Sequence, residues 1–269
     1  MAIDFQKALI TGGAGFIGSH IAEELVRQEC AVTVLDNLSS GHLENLETIE
    51  PGVDFVRGDI QDEQILADVI SGCDVVFHQA AVVSVVSVTK TVTDPVQSTA
   101  VNDLGTLKVL EAARRNGVKR VVLASSSAVY GDDPQLPKVE SMTPKPLSPY
   151  AVQKLTNEHY AFLYHELYGL ETVCLRYFNV YGPRQDPSSP YSGVISIFMT
   201  RAKCGAAPTI YGDGRQSRDF VFVKDVVQAN VLAASHPAAP GQAFNVGTGD
   251  SIEINVLWNK IAELAQCTA

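Results

Sequence analysis

Tyr150 and Lys154 stand four residues apart at the start of a long helical pattern, so both side chains fall on one helix face. A tyrosine with its reference pKa of about 10 is a poor base at neutral pH. An ammonium beside it favours the phenolate, and with a second cation nearby would lower it toward the working range. Such a pair can take the proton of a substrate hydroxyl. As a bare string Tyr-x-x-x-Lys is common, and a solvated helix face explains it as simply. Its place one strand and loop after Ser125-Ser126-Ser127 favours chemistry. A serine just past the carboxyl end of a parallel strand sits where such sheets bind ligands.

A second constellation lies near the N-terminus. Thr11-Gly12-Gly13-Ala14-Gly15-Phe16-Ile17-Gly18 spaces glycines as GxxGxxG between a strand pattern and a helix pattern. Gly12 allows a tight turn, Gly15 lets backbone approach a pyrophosphate, and Gly18 lets helix pack on sheet. The helix N-terminus adds unsatisfied amides and partial positive charge for phosphates. A glycine trio alone also fits a plain turn; the strand–turn–helix setting gives it meaning. Asp36 closes the second strand eighteen residues after Gly18, where a carboxylate can take both ribose hydroxyls of an adenosine. The plainer alternative is an Asp that opens the turn Asn37-Leu38-Ser39-Ser40-Gly41. A 2′-phosphate would face like charge there, so NAD is expected rather than NADP. Its nicotinamide ring would add a second positive charge beside Tyr150. Asp59-Ile60, after the third strand, would flank the adenine, or Asp59 starts a helix as its cap.

Asn179, Arg184 and Arg218 are polar groups in a region expected to fold over the cleft. The planar fork of an arginine suits a diphosphate. For Arg184 a solvated surface role is the equal alternative, whereas Arg218, within Gly212–Phe220, is read as a site residue. His78 ends an apolar strand and is read as a satisfied core histidine. The sequence has no HExxH, no phosphate loop with GK[ST] and no GxSxG elbow, so metal chemistry is not expected.

These groups need a frame, and the pattern supplies one. Short apolar runs at Lys7–Thr11, Ala31–Leu35, Val53–Arg57, Asp74–His78, Arg120–Ala124 and Thr172–Arg176 read as buried strands. Helix patterns cover Phe16–Arg27, Glu63–Ile70, Ser98–Asn116 and Tyr150–Tyr168. Near-continuous apolar strands alternating with helices indicate an α/β fold, a doubly wound parallel sheet of Rossmann type covered on both faces. Residues 1–180 are expected to form this NAD-binding domain. Residues 181–269 are expected to form mainly a small substrate lobe, with some segments returning to the sheet.

The chain has 269 residues, 46% apolar and 19% charged, which is ordinary for a globular protein. Twenty basic against thirty acidic residues give a net charge of −10. That balance argues against nucleic acid or an anionic membrane as partner, since both need cationic surface. The five cysteines, Cys30, Cys73, Cys174, Cys204 and Cys267, show no CxxC spacing and read as reduced thiols. No apolar run approaches the length of about 18 residues a membrane span needs. With Met1 running straight into a strand pattern, a soluble cytoplasmic protein is expected.

Taken together, TGGAGFIGSH, DNLSSG, ASSSAVYGD, PLSPYAVQK, LRYFNVYGPRQDP and GDGRQSRDFVFVKD occur in this order within the chain. The set resembles the extended short-chain dehydrogenase/reductases of the NAD-dependent epimerase/dehydratase family, and within it the UDP-glucose and UDP-N-acetylglucosamine 4-epimerases. The resemblance implies that Ser126 and Tyr150 meet the reacting 4-hydroxyl and that Lys154 meets the nicotinamide ribose. It implies a cofactor pocket that also uses Phe16, Ile17, Asn37, Ser39, Ser40, Gly41, Asp59, Ile60, Gln79, Ala80, Ala81, Asn102 and Tyr177. Asn179, Val194, Tyr211 and Arg218 match positions on the uridine diphosphate side, with Ser84 and Ser127 toward the sugar. Val85–Asp94 departs from the pattern as a longer loop. Relatives also continue for several dozen residues past the point matching Ala269, bringing an Arg, an Asp and a gate residue.

The activity so implied is 4-epimerisation of a UDP-hexose through a transient 4-keto sugar, by a homodimer. The alternatives are another NAD-dependent sugar-nucleotide dehydrogenase, reductase or decarboxylase, or a non-catalytic NAD-binding module. Dehydration is not expected. Dehydratases that share these motifs place an Asp–Glu pair directly after the catalytic hydroxyl residue, where this chain has Ser127 and Ala128.

Overall fold

The computed structural model describes residues 3–82, 90–186 and 193–267, and of Lys90 the backbone alone. The strands are β1 (Lys7–Thr11), β2 (Ala31–Asp36), β3 (Val53–Arg57), β4 (Val75–His78), β5 (Arg120–Ser126), β6 (Glu171–Tyr177), β7 (Asn179–Tyr181), β8 (Ser217–Arg218), β9 (Phe220–Phe222), β10 (Gln242–Val246) and β11 (Ile252–Glu253). The helices are α1 (Phe16–Arg27), α2 (Glu63–Ile70), α3 (Lys90–Thr93), α4 (Pro95–Thr99), α5 (Thr106–Arg115), α6 (Pro149–Tyr168), α7 (Val194–Lys203), α8 (Val223–Ser235) and α9 (Ile254–Leu264).

Seven parallel strands form the central sheet in the order β10-β6-β5-β4-β1-β2-β3. Period-two alternation splits its side chains between two cores. Ala8, Ile10, Val32, Val34, Val75, Phe77, Val122 and Val173 face Ile21 and Leu25 of α1 and Val226 and Val231 of α8. Leu9, Leu35, Val76, Val121, Leu123 and Cys174 face Leu66 of α2, Leu110 of α5 and Ala161 of α6. Both faces are covered, which is why the strands read as apolar runs. The order reverses between β1 and β4, and such a switch point opens a crevice at the strands' carboxyl ends.

The helix expected over Ser98–Asn116 is not continuous. Between α4 and α5, residues Ala100–Gly105 form a π-helical stretch. Gly105 allows it, since a Cβ there would lie 2.7 Å from Ile60 Cδ1. The wider turn aims Asn102 at Val82, whose N–H and C=O it clasps at 2.7 and 3.0 Å. Single π turns of this kind recur at functional sites.

Beyond residue 180 the chain serves two structures. α8 packs on α1 and on β5 and β6, and β10 extends the main sheet beside β6. The rest builds a smaller unit: β8 pairs antiparallel with β11, and α7 and α9 close on a core of Phe198, Leu257 and Trp258. The Phe198 and Trp258 rings meet edge-on at 5.4 Å. β7 and β9 pair beside the sheet's carboxyl edge. No described helix is long and apolar enough to cross a membrane.

Candidate active site

The glycine turn sits at the switch point. Gly12 has φ +69°, and a Cβ on it would meet the Ala80 nitrogen at 2.7 Å, so β1 and β4 lead into touching loops. A Cβ on Gly18 would run into the Gly12 carbonyl and lie 2.7 Å from Gly13 Cα, which is how α1 packs so tightly against its own turn. At Gly15, the N-cap of α1, a Cβ would meet only the Gly12 carbonyl at 3.2 Å. Among the described residues no side chain caps this helix, and its first turn has no acidic residue. An open glycine face over uncapped amides fits the pyrophosphate of a dinucleotide. Phe16 and Ile17 open the helix, both half-buried.

Asp36 is buried at the end of β2, its Oδ2 accepting from Ala14 N at 3.0 Å and its Oδ1 from Leu38 N at 2.8 Å. The two readings of this residue merge: it orders its own turn and retains acceptor sites for a ribose. Burial raises its pKa, and the two N–H groups oppose that rise. Gly41 closes against it, with room for no Cβ nearer than 2.9 Å to Oδ2. Asn37, Ser39 and Ser40 lie exposed on the turn, and Asn37 Nδ2 donates to Asp59 Oδ2 at 2.8 Å. Asp59 is not the helix cap; Asp62 is, accepting from Gln64 N and Ile65 N. The Ile60 side chain is spent on the core beside Gly105. Asp36→Ala is expected to weaken NAD binding and narrow the preference over NADP, measured by titrating both dinucleotides. Equal affinity of the unmodified protein for the two would overturn the ribose assignment.

On the other side of the crevice, Ser148 caps α6 through Ala151 N, with Pro149 in the first turn. The helix then presents Tyr150 and Lys154 inward, and both are buried. Lys154 Nζ donates to the Ala124 carbonyl of β5 at 2.7 Å and lies 5.7 Å from the Tyr150 ring centroid. Burial pulls the lysine down to about 8. Burial pushes the Tyr150 phenol up to about 12, opposed by hydrogen bonding with Ser126. Among the protein's own groups desolvation thus wins at Tyr150, and the expected lowering needs the nicotinamide cation as well as Lys154. Ser126 Oγ accepts from Ala128 N at 3.2 Å and so shapes the turn that carries Ser127. His78 is buried between Thr11 Oγ1 at 2.7 Å and Thr106 Oγ1 at 2.9 Å, and burial pushes it down to about 3.

Several groups act on the crevice through others. Gln79, beside Ala80 and Ala81, donates to the Tyr177 hydroxyl at 3.1 Å, and Asn230 Nδ2 donates to that hydroxyl at 2.8 Å. Asn102 is used fully by Val82 and by Gln153 Oε1, which accepts at 2.7 Å. Tyr177 and Asn102 thus also brace the walls of the crevice. Three residues escaped sequence reasoning. Asn230 on α8 is fully buried. Asp219 accepts from Thr248 N and Gly249 N, while its carbonyl takes Asn179 N and Nδ2. Glu158 joins Ser125 to Arg176. Only Glu158 carried a signal, a carboxylate one turn past Lys154 on the same face.

The substrate-side residues are less gathered. Asn179 is held on β7 by Asp219, and Val194 opens α7, half-buried. Tyr211 is 81% exposed, and the Arg218 side chain on β8 donates to the carbonyl of Ser217. Arg184 is not a solvated arginine: it pairs with Glu23 at 2.7 Å, tying its loop to α1. Ser84 and residues 85–89 of the longer loop lie outside the described residues; Lys90–Thr93 is helical.

The model of the NAD dependent epimerase/dehydratase family matches residues 8–247. A UDP-glucose 4-epimerase of Mycolicibacterium smegmatis is 43% identical over 96% of this chain and 82% of its own length. The UDP-N-acetylglucosamine 4-epimerase of Methanobrevibacter ruminantium M1, solved with UDP-N-acetylmuramic acid, superposes with TM-score 0.93 at 42% identity, over 100% of this chain and 84% of its own. The UDP-glucose 4-epimerase of Thermus thermophilus, solved with NAD, has TM-score 0.87 at 41% identity, covering 98% and 84%.

Proposed function

The chain belongs to the NAD-dependent epimerase/dehydratase family, and from that premise we propose that it inverts C4 of a UDP-hexose, UDP-glucose or UDP-N-acetylglucosamine. The observation that carries the reading is the buried Tyr150–Lys154 pair beside Ser126, tied to β5 on the opposite side of the switch point from β1 and its glycine turn.

The dinucleotide, when bound, supplies a hydride acceptor and donor and a positive charge beside Tyr150. Its pyrophosphate would rest on the amides at Gly15–Ile17 and its adenosine ribose on Asp36. Lys154 would hold the nicotinamide ribose. Tyr150 takes the proton of the sugar 4-hydroxyl, and Ser126 holds the same oxygen by a hydrogen bond. The phenol starts at about 12, so cationic charge in the pocket is needed to bring it toward neutrality. The resulting 4-keto sugar turns over between the sheet edge and the small lobe, and Tyr150 then returns the proton on inversion. Asn179, Val194, Tyr211 and Arg218 would hold the uridine diphosphate. Within this reading residues 181–269 are mainly the substrate lobe, although α8 packs on the main sheet and β10 joins it. Incubation with UDP-glucose, UDP-N-acetylglucosamine and UDP-glucuronate, read by sugar analysis and NADH absorbance, tests it. Inversion without NADH accumulation is expected; NADH release would make the protein a dehydrogenase.

A homodimer follows from the same family reading and from apolar surface on one side. Val96 of α4, Leu104, and Val152, Leu163 and Leu167 of α6 are all exposed. Light scattering at micromolar concentration should give twice the chain mass of 28.9 kDa, and a monomer would refute it. The cysteines, free and scattered, fit a reducing cytoplasm.

A further inference from the structure

We infer that Glu158 is a positioning residue for the turnover proposed above, and that it acts by bracketing the turn that carries Ser126. Its side chain is 1% exposed on α6, one turn beyond Lys154. Glu158 Oε1 accepts from Ser125 Oγ at 2.5 Å and from Arg176 Nε at 2.9 Å, and Oε2 accepts from Arg176 Nη2 at 2.7 Å. One carboxylate therefore joins α6 to the carboxyl ends of β5 and β6, where Ser125 and Arg176 are direct partners in the ladder.

The far side of the turn is held by the same ion pair. Arg176 Nη1 donates to the Tyr130 hydroxyl at 2.8 Å, and Tyr130 donates onward to Asn245 Oδ1 of β10 at 2.7 Å. Ser125 precedes Ser126, and Tyr130 ends the short helical turn Ser127–Tyr130. Ser126, Ser127 and Ala128 are thus suspended between two anchors on one buried pair. Lys154 is tied to the same strand, through the Ala124 carbonyl. A fixed Glu158 holds the Ser126 hydroxyl, the Tyr150 phenol and the Lys154 ammonium in one relative geometry.

Stability alone is a poor reason for such a pair. A buried ion pair is often no better than well-packed apolar residues, although deleting one partner leaves an uncompensated charge. The test therefore avoids the single charge deletion. Ser125→Ala removes one anchor and keeps the ion pair. The double variant Glu158→Gln with Arg176→Met removes the pair without stranding a charge. Both are expected to bind NAD and remain folded by thermal melt. Their kcat on UDP-glucose should fall roughly ten- to a hundredfold, with KM within about twofold, because misplacement by an ångström has effects of this size. Normal kcat in both variants, or a fall only in proportion to lost folded protein, overturns the inference. Titration of the Tyr150 phenol in the NAD-bound protein, taken as the ultraviolet difference from Tyr150→Phe, reads the geometry without turnover. A misplaced Ser126 no longer opposes the rise in Tyr150, so the phenol should titrate higher in Ser125→Ala. An unshifted titration counts against Glu158, whereas a shifted one in a protein that inverts no UDP-sugar would indict the reaction and leave the positioning standing.

Discussion

Tyr150→Phe is expected to lower kcat roughly 10²- to 10⁴-fold while the protein keeps its NAD. The substitution removes one oxygen from a buried ring and leaves the rest of the ring in place. That oxygen is the group assigned to exchange a proton with the sugar hydroxyl, Ser126 being an ordinary alcohol and Lys154 being assigned to the nicotinamide ribose as well as the Ala124 carbonyl. The KM for UDP-sugar should change little. Stopped turnover with cofactor content unchanged identifies a proton carrier. Loss of NAD to the same degree would make Tyr150 a structural tyrosine.

Gly18→Ala should be as damaging by a different route. The new methyl would collide with the Gly12 carbonyl and stand 2.7 Å from Gly13 Cα, both backbone that cannot rotate away. Either α1 moves off the turn or the turn opens, and overpacking of this kind costs about 1–3 kcal/mol. Both responses spoil the amide cradle at Gly15. Most of the bound NAD should be lost and the melting temperature should fall by several degrees, read by cofactor release and thermal denaturation. A variant that retains NAD and stability would show that the tight contact is not needed for the cradle.

The frame was largely legible before the structure, because buried parallel strands have to be apolar runs and glycine turns have to be glycine. β1 and β3 run between the residues that their patterns marked, and β5 extends two residues farther, to Ser126. Asp36 and the Tyr150–Lys154 spacing were legible for the same reason: each depends on contacts within one or two elements. The rest depends on contacts between distant segments. Glu158 meets Ser125 across 33 residues and Tyr130 meets Asn245 across 115, and no local pattern encodes either. The π stretch at Ala100–Gly105 is set by Val82 and Ile60, which lie outside its own window. The burial that holds the Tyr150 phenol up was not legible, because spacing reveals a neighbouring charge and says nothing about depth of burial.

Ser127 and Ala128 bear on what becomes of the oxidised sugar. Eliminating water from a 4-keto hexose requires a base for the C5 proton and an acid for the departing C6 hydroxyl. Ser127 cannot readily serve as that base, and Ala128 has no side-chain proton to give. The keto sugar should therefore survive until C4 is reduced again.

The most direct measurement uses UDP-glucose labelled with deuterium at C4, followed by mass and magnetic-resonance analysis of the sugar nucleotide. The account requires a product of unchanged mass, inverted at C4, with the deuterium still on that carbon. A product lighter by one water, or deuterium lost from the sugar into free NADH, would contradict it.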